Sequence, residues 1–344
     1  MQQVQSPLVS IIMPAYNAAL YITSAIESIL NQTYQHFELL IFDDCSSDNT
    51  IEIIESFTDR RIKLIKKVQN TGYTNSLILG IAMANGKYIA RMDSDDISVL
   101  NRIEKQVHFL EHNIEYGIVG AFIKTIQSNT QSEIWKYPIE DEDIKCFTIV
   151  NSPFAHPAVL IRKNVLLQHQ INYKVAFEPC EDYKLWVDLL QVTKGKNLPE
   201  VLLYYRLHPQ QTIVLKQNKL LETSNKIRLE VVQKYFNLTA SQINLKTHYY
   251  FFNEIKANSS YTILDKYTWK NKLLTTINSN QYQVIITQLV QQYWLKNIQT
   301  LTQFNLGLLK IIGNKYILCN MNTIALFKFV IKCSINYKVK PALK

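Results

Sequence analysis

Glycine is scarce in this chain. Only 8 of the 344 residues are glycine, and neither G-x-x-x-x-G-K nor G-x-G-x-x-G occurs, which disfavours a fold built on a glycine-rich phosphate loop. The five cysteines are odd in number and scattered, without a C-x-x-C pair, so they indicate ordinary thiols in a reducing compartment. No signal peptide and no run of about eighteen apolar residues is found. We therefore expect a cytoplasmic chain.

Acidic residues are missing from one end of the chain. Between Lys266 and Lys344 there is no Asp or Glu, and eleven lysines give that segment a charge of +11. The whole chain carries +9, so its basic character belongs to the C-terminal region alone. A hydrophobic content of 47% with 19% charged residues is that of a globular protein, and 344 residues suggest two domains.

Strand and helix patterns alternate four times before residue 100. The alternation predicts an α/β fold, with a mainly parallel sheet and helices on both of its faces. A later strand, near Ile118–Ile123, is followed by a stretch that we expect to be irregular up to Tyr137. The first four strand candidates are Val9–Met13, ended by Pro14, then Glu38–Phe42, Ile62–Ile65 and Tyr88–Met92.

Polar side chains follow three of these strands, and ligands of such sheets bind beyond the carboxyl ends of the strands. Asn17 follows the first strand, Asp43 and Asp44 the second, and Asp93, Asp95 and Asp96 the fourth. We expect them to converge on one crevice. Three carboxylates at the end of a buried strand repel one another, so a hard divalent cation is the natural counter-charge. The alternative is that these acids only solvate a loop or start the next helix.

The composition of the sequence changes after about Leu215, where helical patterns rich in Asn, Gln, Lys and Tyr begin. We predict a nucleotide-binding catalytic domain over 1–215 and a helical, basic region over 216–344. Phe304–Leu318 and Thr323–Ile335 mix apolar residues with lysine, as do amphipathic helices on anionic membranes. The alternative is an extension that only covers the catalytic domain. No recognition motif supports nucleic-acid binding.

An ordered set of motifs spans roughly the first 210 residues. On these motifs the chain resembles the inverting family-2 glycosyltransferases, which have the GT-A fold. Each motif alone is weakly specific, but the ordered set is specific. The motifs are Val9–Asn17, Asp43–Thr50, Asn70–Gly72, Gly86–Asp96, His156–Arg162, Glu181–Trp186 and Tyr205–His208.

The resemblance implies a set of residues that bind a UDP-sugar donor. Asp44, with Asp43, would accept hydrogen bonds from the uracil or the ribose, since both carry donor groups. The alternative role for these two acids is to stabilise the start of a helix. The remaining donor-binding residues implied by the resemblance are Pro14, Ala15, Tyr16, Asn17, Asn70, Gly72, Arg91, Asp93 and Ser94.

The resemblance also implies a metal and a base. Asp93 and Asp95 match the D-x-D that holds Mn²⁺ or Mg²⁺ on the diphosphate, and His208 falls where many such enzymes place a metal ligand. Asp182 would be the general base, with Glu181 beside it. A structural histidine and a helix N-terminus are the alternatives for these residues. His156 would line the acceptor side of the pocket.

The predicted activity is transfer of a hexose or N-acetylhexosamine from a UDP-sugar to a hydroxyl of a glycan acceptor. The resemblance implies a growing surface polysaccharide or a lipid-linked saccharide as acceptor, with the enzyme at the inner face of the membrane. One alternative is a nucleotidyltransferase, which would want a basic, glycine-rich loop after the first strand. The other is a catalytically silent sugar-nucleotide-binding protein or scaffold.

Overall fold

A single sheet with flanking helices organises the first two-thirds of the chain. The computed structural model describes residues 6–127, 131–209, 211, 216–252, 263–279 and 281–299. The strands are β1 (Val9–Ala15), β2 (Phe37–Asp43), β3 (Ile62–Lys66), β4 (Tyr88–Arg91), β5 (Ile97–Ser98), β6 (Tyr116–Ile126), β7 (Ile134–Trp135), β8 (Leu160–Arg162) and β9 (Lys194–Arg206). The helices are α1 (Ile22–Leu30), α2 (Thr50–Glu55), α3 (Tyr73–Met83), α4 (Arg102–His112), α5 (Asp141–Phe147), α6 (Lys163–Gln168), α7 (Glu181–Leu189), α8 (Gln217–Tyr235), α9 (Leu245–Phe252), α10 (Ile263–Thr276) and α11 (Gln283–Gln299).

The strands form one mixed sheet in the order β3-β2-β1-β4-β8-β6-β9-β5, with β7 paired to β6. The pairs from β3 to β4 are parallel. β8 is antiparallel to both β4 and β6, and β9 is parallel to β6. Strands β4, β6 and β9 therefore point the same way, and their carboxyl ends lie at one edge of the sheet. This architecture confirms the predicted α/β fold.

Alternate residues of β1 enter two separate cores, one on each face of the sheet. Ile11 and Met13 pack in the core that α1 and α4 cover. Ile12 packs in the opposite core, with Trp186 of α7. Helix α3 approaches this second core closely at Gly80, where a Cβ atom would lie 2.6 Å from Cγ2 of Ile12. Burial on both faces explains why β1 reads as a continuous apolar run.

Two details of the predicted strands are wrong. β1 does not end before Pro14 but continues to Ala15. The carbonyl of Ile12 faces β4, where it accepts from the N–H of Met92, and pairing with β4 stops there. The backbone of Pro14, two residues later, faces the same side, where β1 no longer pairs with β4. The missing N–H of Pro14 therefore removes no hydrogen bond from the sheet. The stretch expected to be irregular contains β7, which pairs with Ile123 and its neighbour in β6.

The chain divides into two compact units, Met1–Ile227 and Arg228–Lys344. In the second unit, helices α9 to α11 bury aromatic and aliphatic side chains that include Trp269 and Trp294. The predicted boundary after residue 215 lies before α8 and stays a prediction. The two amphipathic stretches predicted beyond residue 303 lie outside the described residues. Among the helices described, none has the length and apolar character needed to cross a bilayer.

Candidate active site

The loops after β1 and β2 are tied together at the edge of the sheet. Asn17 has a left-handed backbone (φ 48°), a conformation that asparagine tolerates better than most residues. Its side-chain oxygen accepts from the N–H of Ser47 at 2.9 Å, and its own N–H donates to Oγ of Ser46 at 2.9 Å. Before Asn17, Pro14 and Ala15 are buried within β1, while Tyr16 is exposed. The predicted nucleotide loop therefore contacts the loop that carries Asp43 and Asp44.

Asp43 and Asp44 are both buried, but their oxygens differ. Oδ2 of Asp43 accepts from the N–H of Ser46 at 3.0 Å, while its Oδ1 is buried without a hydrogen-bond partner among the described residues. Oδ1 of Asp44 accepts from Nζ of Lys67 at 2.8 Å and from the N–H of Thr71 at 2.9 Å. One acid thus keeps an unused acceptor atom, and the other is neutralised inside the protein.

Lys67 is a site residue that the sequence prediction missed. Its amino group also donates to Oγ1 of Thr71 at 2.6 Å, so it links β2 to the turn before α3. In that turn, Oδ1 of Asn70 accepts from the N–H of Gly72 at 3.1 Å. Gly72 has φ 86°, which a side chain would strain. A signal was available, because Lys67 follows the predicted strand that pairs with the Asp43 strand.

The three acids after β4 form a compact cluster. One carboxylate oxygen from each of Asp93, Asp95 and Asp96 lies within 4.8 Å of the others. Asp93 forms an ion pair with the buried guanidinium of Arg91. Oδ1 of Asp96 accepts from the N–H of Arg206 at 2.9 Å, and its Oδ2 is buried without a described partner. Burial, followed by the charges of Asp93 and Asp95, raises the pKa of Asp96 well above its usual range.

Strand β9 and the residues directly after it bring two further side chains to this cluster. Nε of Arg206 donates to the backbone carbonyl of Asp95 at 2.8 Å. Nε2 of His208 lies 2.8 Å from Oδ2 of Asp95, and its ring stacks near Tyr21 with centroids 5.2 Å apart. The structure therefore places the predicted histidine directly on the predicted D-x-D loop.

A buried arginine braces the backbone beneath the acidic cluster. Arg102, in the first turn of α4, donates from Nη2 to the carbonyls of Arg91 at 2.7 Å and Val159 at 3.2 Å. Its Nε donates to the side chain of Gln106 at 3.2 Å. Burial lowers the pKa of Arg102 to about 9, so it keeps its charge at neutral pH. We call Arg102 with Gln106 the polar brace.

Glu181 and Asp182 open helix α7 and form a second acidic group. The hydroxyl of Tyr73 donates to Oε1 of Glu181, whose other oxygen is buried without a described partner. Burial and the neighbouring Asp182 raise the pKa of Glu181 to about 8. Oγ of Ser152 donates to Oδ2 of Asp182 at 3.4 Å. Burial also raises the pKa of Asp182, to about 6.

His156 contacts two aromatic side chains. Nε2 of His156 and the hydroxyl of Tyr173 are 2.7 Å apart, and its ring centroid is 5.8 Å from that of Trp186. Burial and the charge of Arg91 hold the pKa of His156 well below its usual range. The imidazole is therefore neutral at physiological pH, as a wall residue would be.

Comparison with known proteins decides the family. A model of glycosyl transferase family 2 matches residues 10–174. An uncharacterized glycosyltransferase of Haemophilus influenzae is 34% identical over 284 residues, which span 76% of this chain and 88% of that protein. The chain belongs to glycosyl transferase family 2. The resemblance read from the motifs is thereby confirmed, and the protein is a glycosyltransferase.

Two further proteins similar to this glycosyltransferase carry more specific descriptions. An Escherichia coli protein, UDP-Glc:alpha-D-GlcNAc-diphosphoundecaprenol beta-1,3-glucosyltransferase WfaP, is 33% identical over 229 residues, 64% of this chain and 86% of the relative. The crystal structure of Staphylococcus aureus TarS 1-349 in complex with UDP-GlcNAc aligns with a TM-score of 0.56 and 16% identity, over 85% of this chain and 79% of that one. The second likeness establishes the shared GT-A fold.

Proposed function

We propose that this family-2 glycosyltransferase is inverting and metal-dependent, and that it moves a hexose or N-acetylhexosamine from a UDP-sugar to a hydroxyl of a glycan acceptor. The observation that carries the proposal is one site with two acidic groups: a cluster contacted by a histidine, and a pair whose pKa values are raised. The sugar-lipid diphosphate in the name of the E. coli relative supports a lipid-linked saccharide as acceptor.

The nucleoside would bind at the carboxyl ends of β1 and β2. The buried Oδ1 of Asp43 has no described partner, and a uracil N–H or a ribose hydroxyl would satisfy it. Asp44 would contribute mainly through its second oxygen, because Lys67 and Thr71 already use Oδ1. This division of roles refines the sequence prediction, which gave Asp44 the leading part.

The acidic cluster fits a divalent metal. Carboxylate oxygens are the ligands that Mn²⁺ and Mg²⁺ prefer, and Oδ2 of Asp96 is buried without a described partner. Asp95, Asp93 and His208 would hold the ion, which when bound stabilises the negative charge of the departing diphosphate. Nε of Arg91 is buried and lacks a described hydrogen-bond partner, so it is free to donate to the donor sugar or its phosphates.

Asp182 would accept the proton of the attacking hydroxyl. A pKa of about 6 leaves this carboxylate ionised at neutral pH yet more basic than an ordinary aspartate, as a general base requires. The acceptor oxygen forms a bond to the anomeric carbon as the bond to the diphosphate breaks, and the proton passes to Asp182. Displacement from the opposite face gives a β-linkage from an α-linked donor. Glu181, largely protonated at neutral pH, would position its neighbour.

The test is hydrolysis of a panel of UDP-sugars, with Mn²⁺ or with EDTA, by the wild type, Asp95→Ala and the matched control Asp143→Ala. Asp143 is an exposed acid in the first turn of α5. We expect metal-dependent release of UDP from one donor, lost in Asp95→Ala and kept in the control. If no donor is hydrolysed and calorimetry detects no UDP binding, the proposed donor is wrong.

We propose separately that the basic segment from Lys266 onward binds anionic membranes peripherally. It carries +11 without any acid, and a lipid-linked acceptor would make docking useful. Co-sedimentation of the full chain with vesicles tests this. We expect binding to vesicles that contain anionic lipid and little to neutral ones, and equal binding to both would refute electrostatic docking.

A further inference from the structure

An exposed aromatic group lies near the proposed catalytic base and is not used by the donor site. Trp135 ends β7 and is 36% exposed. Its ring centroid lies 5.6 Å from that of Tyr205 on β9, with the planes tilted by 38°. Tyr137 follows Trp135 by two residues, and both tyrosines pack against the core beneath α1 and α4. We call Trp135, Tyr137 and Tyr205 the aromatic platform.

The platform connects the surface with both acidic groups. Tyr205 directly precedes Arg206, whose N–H and side chain bind the Asp93–Asp96 loop. Burial and then the charges of Asp93, Asp96 and Asp95 raise the pKa of the Tyr205 hydroxyl. Burial and then the charge of Asp182 raise the pKa of Tyr137. Nδ2 of Asn197 donates to the carbonyls of Pro138, next to Tyr137, and of Pro153, next to the Ser152 that donates to Asp182. One end of the platform is therefore close to the cluster, a second end is close to the base, and Trp135 is partly exposed.

Different strands of the sheet carry the platform and the nucleotide loops. Asn17, Asp43 and Asp44 follow β1 and β2, whereas the platform residues come from β7, β9 and the segment after β7. β7 pairs with β6 where β6 approaches its carboxyl end, the same edge of the sheet as the end of β4. In the order of the strands, β4 with its acidic loop lies between β1 and β2 on one side and β6 and β9 on the other, so the platform lies across the acidic cluster from the nucleotide loops.

The chemistry of the platform suits a sugar ring. One face of a pyranose presents C–H groups, which pack well on the negative face of an aromatic ring, and the sugar hydroxyls can bond to tyrosine hydroxyls. Resting on the proposed function, we propose that the aromatic platform is the acceptor subsite. An acceptor pyranose stacks on Trp135 and Tyr205, and one of its hydroxyls is presented to Asp182.

The neighbouring residue provides a matched control. Ile134 is also exposed (50%), but adjacent residues of a strand point to opposite faces, so its side chain lies away from Tyr205. The variants are Trp135→Ala, Trp135→Phe and Ile134→Ala. The acceptor probe is N-acetyl-α-D-glucosaminyl diphosphate joined to a short alkyl chain. Transfer kinetics are measured with the donor found in the UDP-sugar panel.

We expect the acceptor KM of Trp135→Ala to exceed that of Ile134→Ala by about tenfold, as truncation of an aromatic anchor typically does. Trp135→Phe, which keeps a ring, should restore most of the loss. The donor KM of the two alanine variants should agree within about twofold, because the platform does not contact the nucleotide loops. Equal acceptor KM values in Trp135→Ala and Ile134→Ala would overturn the subsite.

A second measurement covers an acceptor other than the probe. If the diphosphate is not used, saturation-transfer NMR with methyl glycosides of glucose, galactose, mannose and N-acetylglucosamine replaces the kinetics. A signal that is lost in Trp135→Ala and kept in Ile134→Ala supports the subsite. A wild type that hydrolyses UDP-sugar but gives no such signal overturns it. A wild type that neither hydrolyses nor binds any UDP-sugar instead refutes the proposed donor.

Discussion

Two groups of neighbouring carboxylates enter the same site with different partners. The Asp93–Asp96 cluster is contacted by two arginines and a histidine, namely Arg91, Arg206 and His208. Glu181 and Asp182 are instead contacted by the hydroxyls of Tyr73 and Ser152. Burial raises the pKa of Asp96 and of both members of the pair, while at Asp93 the guanidinium of Arg91 opposes burial by favouring the charged carboxylate. In the proposed mechanism the same residue type holds a metal ion in one place and takes up a proton in the other.

The largest expected effect comes from removing the proposed proton acceptor, Asp182. Asp182→Asn keeps the shape and the hydrogen bond of Asp182 but removes its basicity, so kcat for transfer should fall by about 10³-fold. Asp188→Asn, in the same helix but ion-paired to Lys174 and Lys184, is the control and should stay within about threefold. Calorimetry should show that both variants still bind UDP. A fall of less than about tenfold for Asp182→Asn would assign the base elsewhere.

Removal of the histidine tests the proposed metal site at the Asp93–Asp96 cluster. His208→Ala takes away one proposed ligand and leaves the three carboxylates, so the Mn²⁺ concentration for half-maximal activity should rise by about tenfold or more. The exposed His169 supplies the control variant, His169→Ala, whose metal requirement should match the wild type. An unchanged metal requirement in His208→Ala would leave this histidine a structural role only.

The pH dependence tests the proposed base without mutation. A carboxyl whose pKa is raised to about 6 must lose its proton to act as a base, so activity is full above that pH and is lost as the pH falls through it. We expect kcat/KM at saturating metal to drop about tenfold per pH unit below about pH 6. Circular dichroism at each pH separates this loss from unfolding. A flat profile down to about pH 4.5 would show that Asp182 titrates as an ordinary aspartate.

The smallest expected effect concerns the hydroxyl that holds the acidic pair. Tyr73→Phe removes the donor to Glu181, whose pKa near 8 makes it mostly protonated at neutral pH. Loss of a neutral hydrogen bond should lower the free energy of unfolding at pH 7 by about 1 kcal/mol. Urea denaturation measures this difference. A loss near 3 kcal/mol would indicate a charged acceptor and would make the two acidic groups more alike than we propose.

The parts of the site close to β1, β2 and β4 were predictable from the sequence. Each strand there is a short apolar run, and each is followed by polar residues, so convergence follows from parallel pairing alone. His208 was predictable as a site residue only from the family motif. Lys67 was missed although it follows a predicted strand that pairs with β2, whereas the positions of Arg102 and Trp135 depend on which strands pair beyond β4. That order includes antiparallel strands, and apolar periodicity does not encode strand order.

The polar brace affects the free energy with which ligands bind at the acidic cluster. Arg102 and Gln106 hold the carbonyls of Arg91, Ala158 and Val159 from within the core, so the backbone that leads into the Asp93–Asp96 loop is fixed when the chain folds. The site is thus preorganised: a ligand of the cluster meets a loop whose conformational entropy has already been lost. Binding free energy that a mobile loop would consume in ordering itself stays available for affinity and for the transition state.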